Sequence, residues 1–85
     1  MRTVTVYTTE HCSRCVSAKA LLQRRKIVYE EVNLAKDPDG RAELSRHTGM
    51  VTFPQIIIEG QPIGGFDELL LADREGRLSG LVAAY

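Results

Sequence analysis

The sequence predicts an α/β fold with its elements in the order βαβαββα, and three observations lead to this prediction. Short runs of β-branched and apolar residues alternate with longer runs in which apolar residues recur every three or four positions. A two-residue turn then joins the last two short runs. Because a crossover helix joins parallel strands and a tight turn joins antiparallel ones, we expect a right-handed parallel pair first and an antiparallel hairpin second.

The first half of the chain predicts a strand, a helix and a strand. Residues 3–7 are β-branched or aromatic and favour the first strand. The first helix should begin near Cys12 or Ser13, since apolar residues recur at helical spacing after them and basic residues gather at the helix end. An apolar run over 27–34, interrupted by two glutamates, predicts the second strand.

The second helix has clear signals at both ends. Asp37 is typical of an N-cap and Pro38 of a first helical position, so the helix should begin there. It should run to about Thr48, where Gly49 provides the C-terminal stop.

A hairpin and a third helix follow in the prediction. The apolar run over 55–58 is too short for a helix and indicates a buried strand, and the turn at 59–60 leads back into an edge strand over 61–63. Asp67 is expected to cap a third helix that ends at Gly76, and apolar residues beyond it predict a final helical turn or two.

Length and composition limit the classes of protein to consider. The 85 residues, 44% of them hydrophobic, are expected to form one domain over 1–85. Eleven basic residues balance eleven acidic ones, so nucleic acid and membrane surfaces are not expected as partners. The chain enters a strand pattern at once and has no long apolar run, which predicts a cytoplasmic protein without a leader.

Cys12 and Cys15 are the only cysteines, and they lie where the first strand gives way to the first helix. Unpaired N–H groups and the helix dipole favour negative charge at a helix start, and the thiolate is the reactive form of cysteine. We expect Cys12 to be the exposed nucleophile and Cys15 the more buried thiol that resolves a mixed disulfide. Arg14 lies between them, and a cation there would further favour the thiolate.

A metal site is the rival interpretation of this cysteine pair. Zinc usually takes four ligands, a second cysteine pair is missing, and His11 and His47 lack the spacing of a zinc finger. We therefore predict no metal site within one chain, although counting ligands leaves open a cluster shared between two chains.

Two further segments have open interpretations from their residues alone. Pro54 precedes an apolar strand, where proline marks either a cis bond or a plain strand start, and spacing alone favours the strand start. Gly64 and Gly65 precede a helix, where they serve either the close approach of an anion or a tight turn with a cap; taken alone, the turn is favoured.

Together, these features resemble the glutaredoxin family over nearly the whole chain. The matching motifs are Cys12-Ser13-Arg14-Cys15, Thr52-Phe53-Pro54 and Gly64-Gly65-Phe66-Asp67, in this order and at these spacings. The resemblance implies a thioredoxin-like fold, with a four-stranded mixed sheet flanked by helices, and a cis Pro54 in a loop that faces Cys12. It also implies an enzyme that reduces protein disulfides and glutathione mixed disulfides.

The resemblance assigns roles to individual residues. Cys12 matches the nucleophile and Cys15 the resolving thiol, while the backbone of Phe53 would pair with the cysteinyl part of glutathione. Backbone N–H groups at the start of the third helix would hold the γ-glutamyl end, and the Asp67 carboxylate would meet its ammonium. The full set of expected glutathione-binding residues is Thr9, Arg14, Thr52, Phe53, Pro54, Gly65, Phe66 and Asp67.

The sequence departs from the family pattern in three respects. Thr9 stands where a lysine usually helps bind the glycyl carboxylate of glutathione and lowers the pKa of the thiol. Ser13 and Arg14 replace the usual Pro-Tyr, and Phe53 replaces a valine. Arg14 is therefore a candidate for supplying the missing positive charge.

The leading hypothesis is a monomeric enzyme that needs no cofactor. It would use glutathione or another low-molecular-weight thiol as co-substrate and act on disulfide-containing or glutathionylated proteins. One alternative is an electron donor of the ribonucleotide-reductase type that is reduced by thioredoxin reductase; such proteins usually carry Trp-Ser-Gly-Phe where this chain has 64–67. Another is a dimeric 2Fe–2S carrier that uses Cys12 of each subunit and two glutathiones. This alternative stays open because Ser13 replaces the proline that is usual at this position in the family.

Overall fold

A computed structural model describes residues 2–83 and confirms the predicted order of elements, with the final helical turns forming a fourth helix. The strands are β1 (Val4–Thr8), β2 (Glu30–Asn33), β3 (Gln55–Ile58) and β4 (Gln61–Gly64), and the helices are α1 (Ser13–Arg24), α2 (Pro38–Thr48), α3 (Phe66–Arg74) and α4 (Leu78–Val82). No helix within 2–83 is long and apolar enough to cross a membrane.

The four strands form one mixed sheet in the order β2-β1-β3-β4. β1 pairs with β2 in parallel, and both the β1–β3 and β3–β4 pairs are antiparallel, which confirms the predicted parallel pair and hairpin. Val6 lies opposite Glu31 on one side and Ile56 on the other. The central strand β1 therefore ends, and its antiparallel neighbour β3 begins, near the loop that carries the cysteine pair.

The second strand is shorter than predicted. Residues 27–29 precede β2, because the chain leaves α1 through Lys26 at a positive φ of 59°. The Ile27 N–H then donates to the Leu22 carbonyl at 2.9 Å, and the Ile27 side chain enters the core. The apolar run over 27–34 therefore has two parts: Ile27 anchors the end of α1 in the core, and β2 begins only at Glu30.

Helices cover both faces of the sheet, as the burial of β3 shows. All four residues of β3 are buried, and alternate residues contribute to two different apolar clusters. The main cluster consists of Val4, Val6, Ala18, Leu21, Leu22, Ile27, Ile56, Ile58, Leu69, Ala72, Leu78 and Val82. The smaller cluster, which includes a side chain from α2, consists of Leu34, Leu44 and Ile57.

The capping prediction is confirmed for α2 and wrong for α3. Asp37 is the N-cap of α2 and accepts from the Gly40 N–H at 2.8 Å, and Gly49 ends the helix at a φ of 75°. In α3 the N-cap is Gly65, and Asp67 lies inside the first turn. The Gly65 N-cap has no side chain to accept a bond, and instead the carboxylate of Glu68, at the third helical position, reaches back and accepts from the Gly65 N–H at 2.7 Å.

Candidate active site

Cys12 and Cys15 form a disulfide at the start of α1, with their Cα atoms 5.2 Å apart. Cys12 is the N-cap of the helix, and its Sγ accepts from the Cys15 N–H at 3.1 Å. Cys15 is only 2% exposed, whereas Cys12 is partly exposed. The Cys15 amide and the N-terminus of α1 therefore face the more accessible sulfur, an arrangement that favours a thiolate at Cys12 in the reduced protein.

The loop over 50–54 approaches this pair from the other side. The Phe53–Pro54 peptide bond is cis, as the family resemblance implied and spacing alone did not favour. The Phe53 carbonyl oxygen lies 3.8 Å from the Cys12 Sγ, and Pro54 is buried directly before β3. A substrate sulfur bonded to Cys12 would therefore lie next to the backbone of Phe53.

A groove of about 300 Å³ runs between this loop and the start of α3. Its lining residues are Arg14, Met50, Thr52, Phe53, Pro54, Gly65, Phe66, Asp67 and Glu68. Seven of the eight residues predicted to bind glutathione are thus brought together. The eighth, Thr9, lies in the loop after β1 and is not among the groove-lining residues of the described part of the chain.

Arg14 and Asp67 form an ion pair across this groove. The Arg14 guanidinium also lies over the Phe66 ring, 5.9 Å from its centroid. The side chains of Arg14 and Asp67 are 55% and 71% exposed, and such pairs typically stabilise a protein by about 0–1 kcal/mol. A ligand that separates the two side chains therefore loses little free energy by breaking the ion pair.

The start of α3 packs closely against the loop that contains the cis proline. A Cβ atom at Gly65 would lie 3.3 Å from the Pro54 carbonyl oxygen, so glycine permits this approach. Because the Gly65 N–H is taken by Glu68, the amides that α3 can offer to an anion are those of its first turn from Phe66 onwards. Sequence analysis missed Glu68, although a glutamate at the third position of a helix is a known capping signal.

A partly exposed polar network fixes the end of β1, from which the cysteine loop departs. The Thr8 hydroxyl, in a residue that is 1% exposed, donates to Glu31 at 2.9 Å, and the Lys19 ammonium donates to the same carboxylate at 3.1 Å. The Thr8 hydrogen bond, followed by Lys19, lowers the pKa of Glu31 despite partial burial. The network joins β1, β2 and α1 just before the cysteine loop.

The fold and this site define a class of protein, a thiol–disulfide oxidoreductase with a thioredoxin-like fold and a dithiol at a helix start. Comparison with known sequences makes the assignment specific, because the family profile named Glutaredoxin matches residues 4–63. The chain belongs to the glutaredoxin family.

Individual relatives agree with the family assignment. The chain is 42% identical over 84 residues to a glutaredoxin of Pseudomonas aeruginosa, an alignment that covers 99% of this chain and 100% of the relative. It is 38% identical over 82 residues to glutaredoxin 3 of Escherichia coli K12, covering 96% of this chain and 99% of that one. These family members are thiol–disulfide oxidoreductases, and this chain holds the cysteine pair that the reaction needs.

Solved structures confirm the fold. The solution structure of a glutaredoxin from Brucella melitensis superposes with a TM-score of 0.86 at 39% identity, covering 96% of this chain and 89% of that one. A buckwheat glutaredoxin in complex with glutathione superposes with a TM-score of 0.87 at 28% identity, covering 95% of this chain and 76% of that one.

Proposed function

We propose that this protein is a glutathione-linked oxidoreductase that reduces protein disulfides and glutathione mixed disulfides. One observation carries the proposal: a single groove joins the Phe53 backbone, the N-terminus of α3 and the Asp67 carboxylate beside the Cys12 sulfur. The groove matches the chemistry of a γ-glutamyl tripeptide, which combines an extended backbone with an amino-acid head group. The glutathione complex of the buckwheat protein is further support.

Glutathione would lie extended along the loop, with its cysteinyl backbone paired to Phe53. The γ-glutamyl carboxylate would accept from the amides of Phe66 and Asp67 at the start of α3, where the helix dipole favours an anion. Its ammonium would bind the Asp67 carboxylate in place of Arg14. The displaced Arg14 guanidinium lies at this same end, so it would contact the γ-glutamyl carboxylate and not replace the lysine missing at Thr9.

The proposed reaction consists of two thiol–disulfide exchanges. The Cys12 thiolate attacks the glutathione sulfur of a mixed disulfide, forms a Cys12–glutathione disulfide and releases the protein thiolate, which takes up a proton. A second glutathione thiolate then attacks the bound glutathione sulfur, giving oxidised glutathione and regenerating the Cys12 thiolate. With a protein disulfide, the Cys12 thiolate first forms a mixed disulfide with one protein sulfur and releases the other as a thiol. The Cys15 thiolate then attacks the Cys12 sulfur and releases the second protein thiol, and two glutathione molecules reduce the resulting Cys12–Cys15 disulfide and leave as oxidised glutathione.

The two cysteines have separable roles in this scheme, and substitution tests them. Cys12→Ser should abolish the reduction of every substrate, because no nucleophile remains. Cys15→Ser should retain activity on a glutathionylated peptide and lose activity on a protein disulfide. Turnover of a glutathionylated peptide by the Cys12→Ser variant would refute the assignment.

The source of electrons is tested by coupling turnover to either of two reducing systems. Glutathione with glutathione reductase should support multiple turnovers, whereas NADPH with thioredoxin reductase alone should support few. The reverse result would favour the electron-donor alternative of the ribonucleotide-reductase type. A reducing compartment such as the cytoplasm suits the proposed activity, since glutathione is kept reduced there.

A further inference from the structure

Gln55 is a polar residue in a strand whose other three members are isoleucines. It is the first residue of β3 and is only 2% exposed. Its side-chain Nε2 donates to two backbone carbonyls of the active-site loop, that of Met50 at 3.2 Å and that of Thr52 at 3.0 Å. One buried amide therefore fixes both ends of a three-residue segment.

The orientation of this amide follows from what it contacts. A carboxamide offers two N–H donors on nitrogen and acceptors on oxygen, and here both neighbours are carbonyl oxygens. Turning the group over would place its oxygen against those two oxygens, so only the observed orientation is compatible with the loop. Its Oε1 has no hydrogen-bond partner among the described residues, so the polar contacts of this side chain are the two bonds that Nε2 donates.

The segment that Gln55 holds leads directly into the proposed substrate-binding backbone. Thr52 precedes Phe53, whose carbonyl oxygen lies 3.8 Å from the Cys12 sulfur. A further hydrogen bond holds the loop to α2, where the Thr48 hydroxyl accepts from the Met50 N–H at 3.1 Å. The loop is thus held on its α2 side by side-chain hydrogen bonds, while its other side borders the groove.

We propose that Gln55 is a positioning residue for the exchange reaction. It sets the position of the Phe53 backbone relative to the Cys12 sulfur and so determines how tightly a peptide-like disulfide is bound beside the dithiol. The inference rests on the proposed function, because it concerns the same groove. Gln55 itself is buried and is not among the groove-lining residues of the described part of the chain, so it would act through the loop and not by direct contact with a substrate.

Two substitutions of similar length separate positioning from packing. Gln55→Met keeps an unbranched side chain and removes both donors, and KM for a glutathionylated peptide should rise about tenfold with little change in kcat. Gln55→Glu keeps the shape but turns a carboxylate towards the two carbonyls, so its KM should rise further at neutral pH. A protonated glutamic acid donates again, so the KM of Gln55→Glu relative to wild type should fall towards acid pH, whereas that of Gln55→Met should not.

The controls keep the result interpretable. Gln61→Met changes an exposed glutamine at the start of the neighbouring strand β4 and should leave KM unchanged. The rate at which iodoacetamide alkylates Cys12 should be the same in all variants, since the thiolate is not the group affected. An unchanged KM in Gln55→Met, or a raised KM in Gln55→Glu that shows no recovery in acid, would overturn the positioning role.

The proposed function is tested separately with the wild-type protein. The same peptide is offered once with glutathione and once with cysteamine as the mixed-disulfide partner. A preference for the glutathione form supports the groove as a glutathione site. Equal turnover of the two forms would refute glutathione recognition itself, and this outcome is independent of any Gln55 variant.

Discussion

Arg14 in the first turn of α1 and Asp67 in the first turn of α3 form an ion pair that crosses the groove beside the dithiol. Both residues were expected to bind glutathione, and in the structure they bind each other. Because the pair is exposed, solvent screens it and a zwitterionic head group has little to displace. The pair thus presents one positive and one negative group to the groove, which are complementary to the carboxylate and the ammonium of the γ-glutamyl residue in the proposed substrate.

Asp67→Asn should weaken the binding of glutathionylated substrates. The amide cannot form a charge-assisted bond with the γ-glutamyl ammonium, so we expect KM to rise about 5- to 30-fold with kcat nearly unchanged. Steady-state kinetics with a glutathionylated peptide measures this. Asp73→Asn is the matched control, because Asp73 lies near the other end of α3 and pairs with Arg25 instead. A similar rise in both variants would argue against a specific role for Asp67.

Gly65→Ala should disturb the groove from the α3 side. The added Cβ would lie 3.3 Å from the Pro54 carbonyl oxygen, which is a backbone atom with little room to move. We expect KM for the glutathionylated peptide to rise about threefold or more, since the loop and the start of α3 must separate slightly. The affinity for oxidised glutathione can also be compared without turnover. For this, the Cys12→Ser variant is titrated by calorimetry, once alone and once combined with Gly65→Ala. Equal affinity in the two proteins would show that the contact is unimportant.

Gly80→Ala should stabilise the protein. Gly80 lies inside α4, and a Cβ there would meet no atom within 4 Å. Alanine reduces the conformational freedom of the unfolded chain, so the free energy of unfolding should increase by about 0.4–1 kcal/mol. Urea denaturation measures this gain. Gly76→Ala provides the contrast, because Gly76 has a φ of 74° and alanine would be strained there, which should lower the stability.

The Glu31 network predicts a specific dependence of stability on pH. Hydrogen bonds from Thr8 and Lys19 lower the pKa of Glu31 in the folded state. Its contribution is therefore fully present above the ordinary glutamate pKa and is lost as the pH falls through the lowered folded-state value. Glu31→Gln should accordingly be less stable than wild type at neutral pH, and the difference should shrink in acid.

Urea midpoints at about pH 7 and about pH 3 measure this difference, since they lie on either side of the ordinary glutamate pKa. Glu30→Gln is the matched control, because it changes the exposed neighbouring glutamate in the same strand. Its midpoint should differ little from wild type at neutral pH. A stability difference for Glu31→Gln that stays constant from neutral pH to acid would contradict the network as described.

Local signals in the sequence were sufficient to place most elements. Asp37, Pro38 and Gly49 fixed the bounds of α2 because they satisfy or end helical hydrogen bonds through their own residue types. Composition does not locate a strand start in the same way. Ile27 is as apolar as a strand residue but follows a positive-φ residue and anchors α1, and this depends on how the chain leaves the helix.

The candidate site was predicted from motifs, and the structure added how its parts are held. The dithiol at a helix start, the loop before β3 and the glycines before α3 are recognisable in the chain order. Glu68 as the partner of the Gly65 N–H followed a readable capping pattern that was overlooked. The bonds of Gln55 to Met50 and Thr52 were not predictable in the same sense, since they depend on which carbonyls turn towards it.

The sequence by itself determined the order of the elements and the residue types at the reacting centre, because helix caps, turns and hydrophobic periodicity act between near neighbours in the chain. Only the tertiary structure decided that Arg14 meets Asp67 and that the Phe53 carbonyl faces the Cys12 sulfur. These contacts join residues 53 and 41 positions apart, respectively. They exist because α1, the loop before β3 and the start of α3 meet at one end of the same sheet.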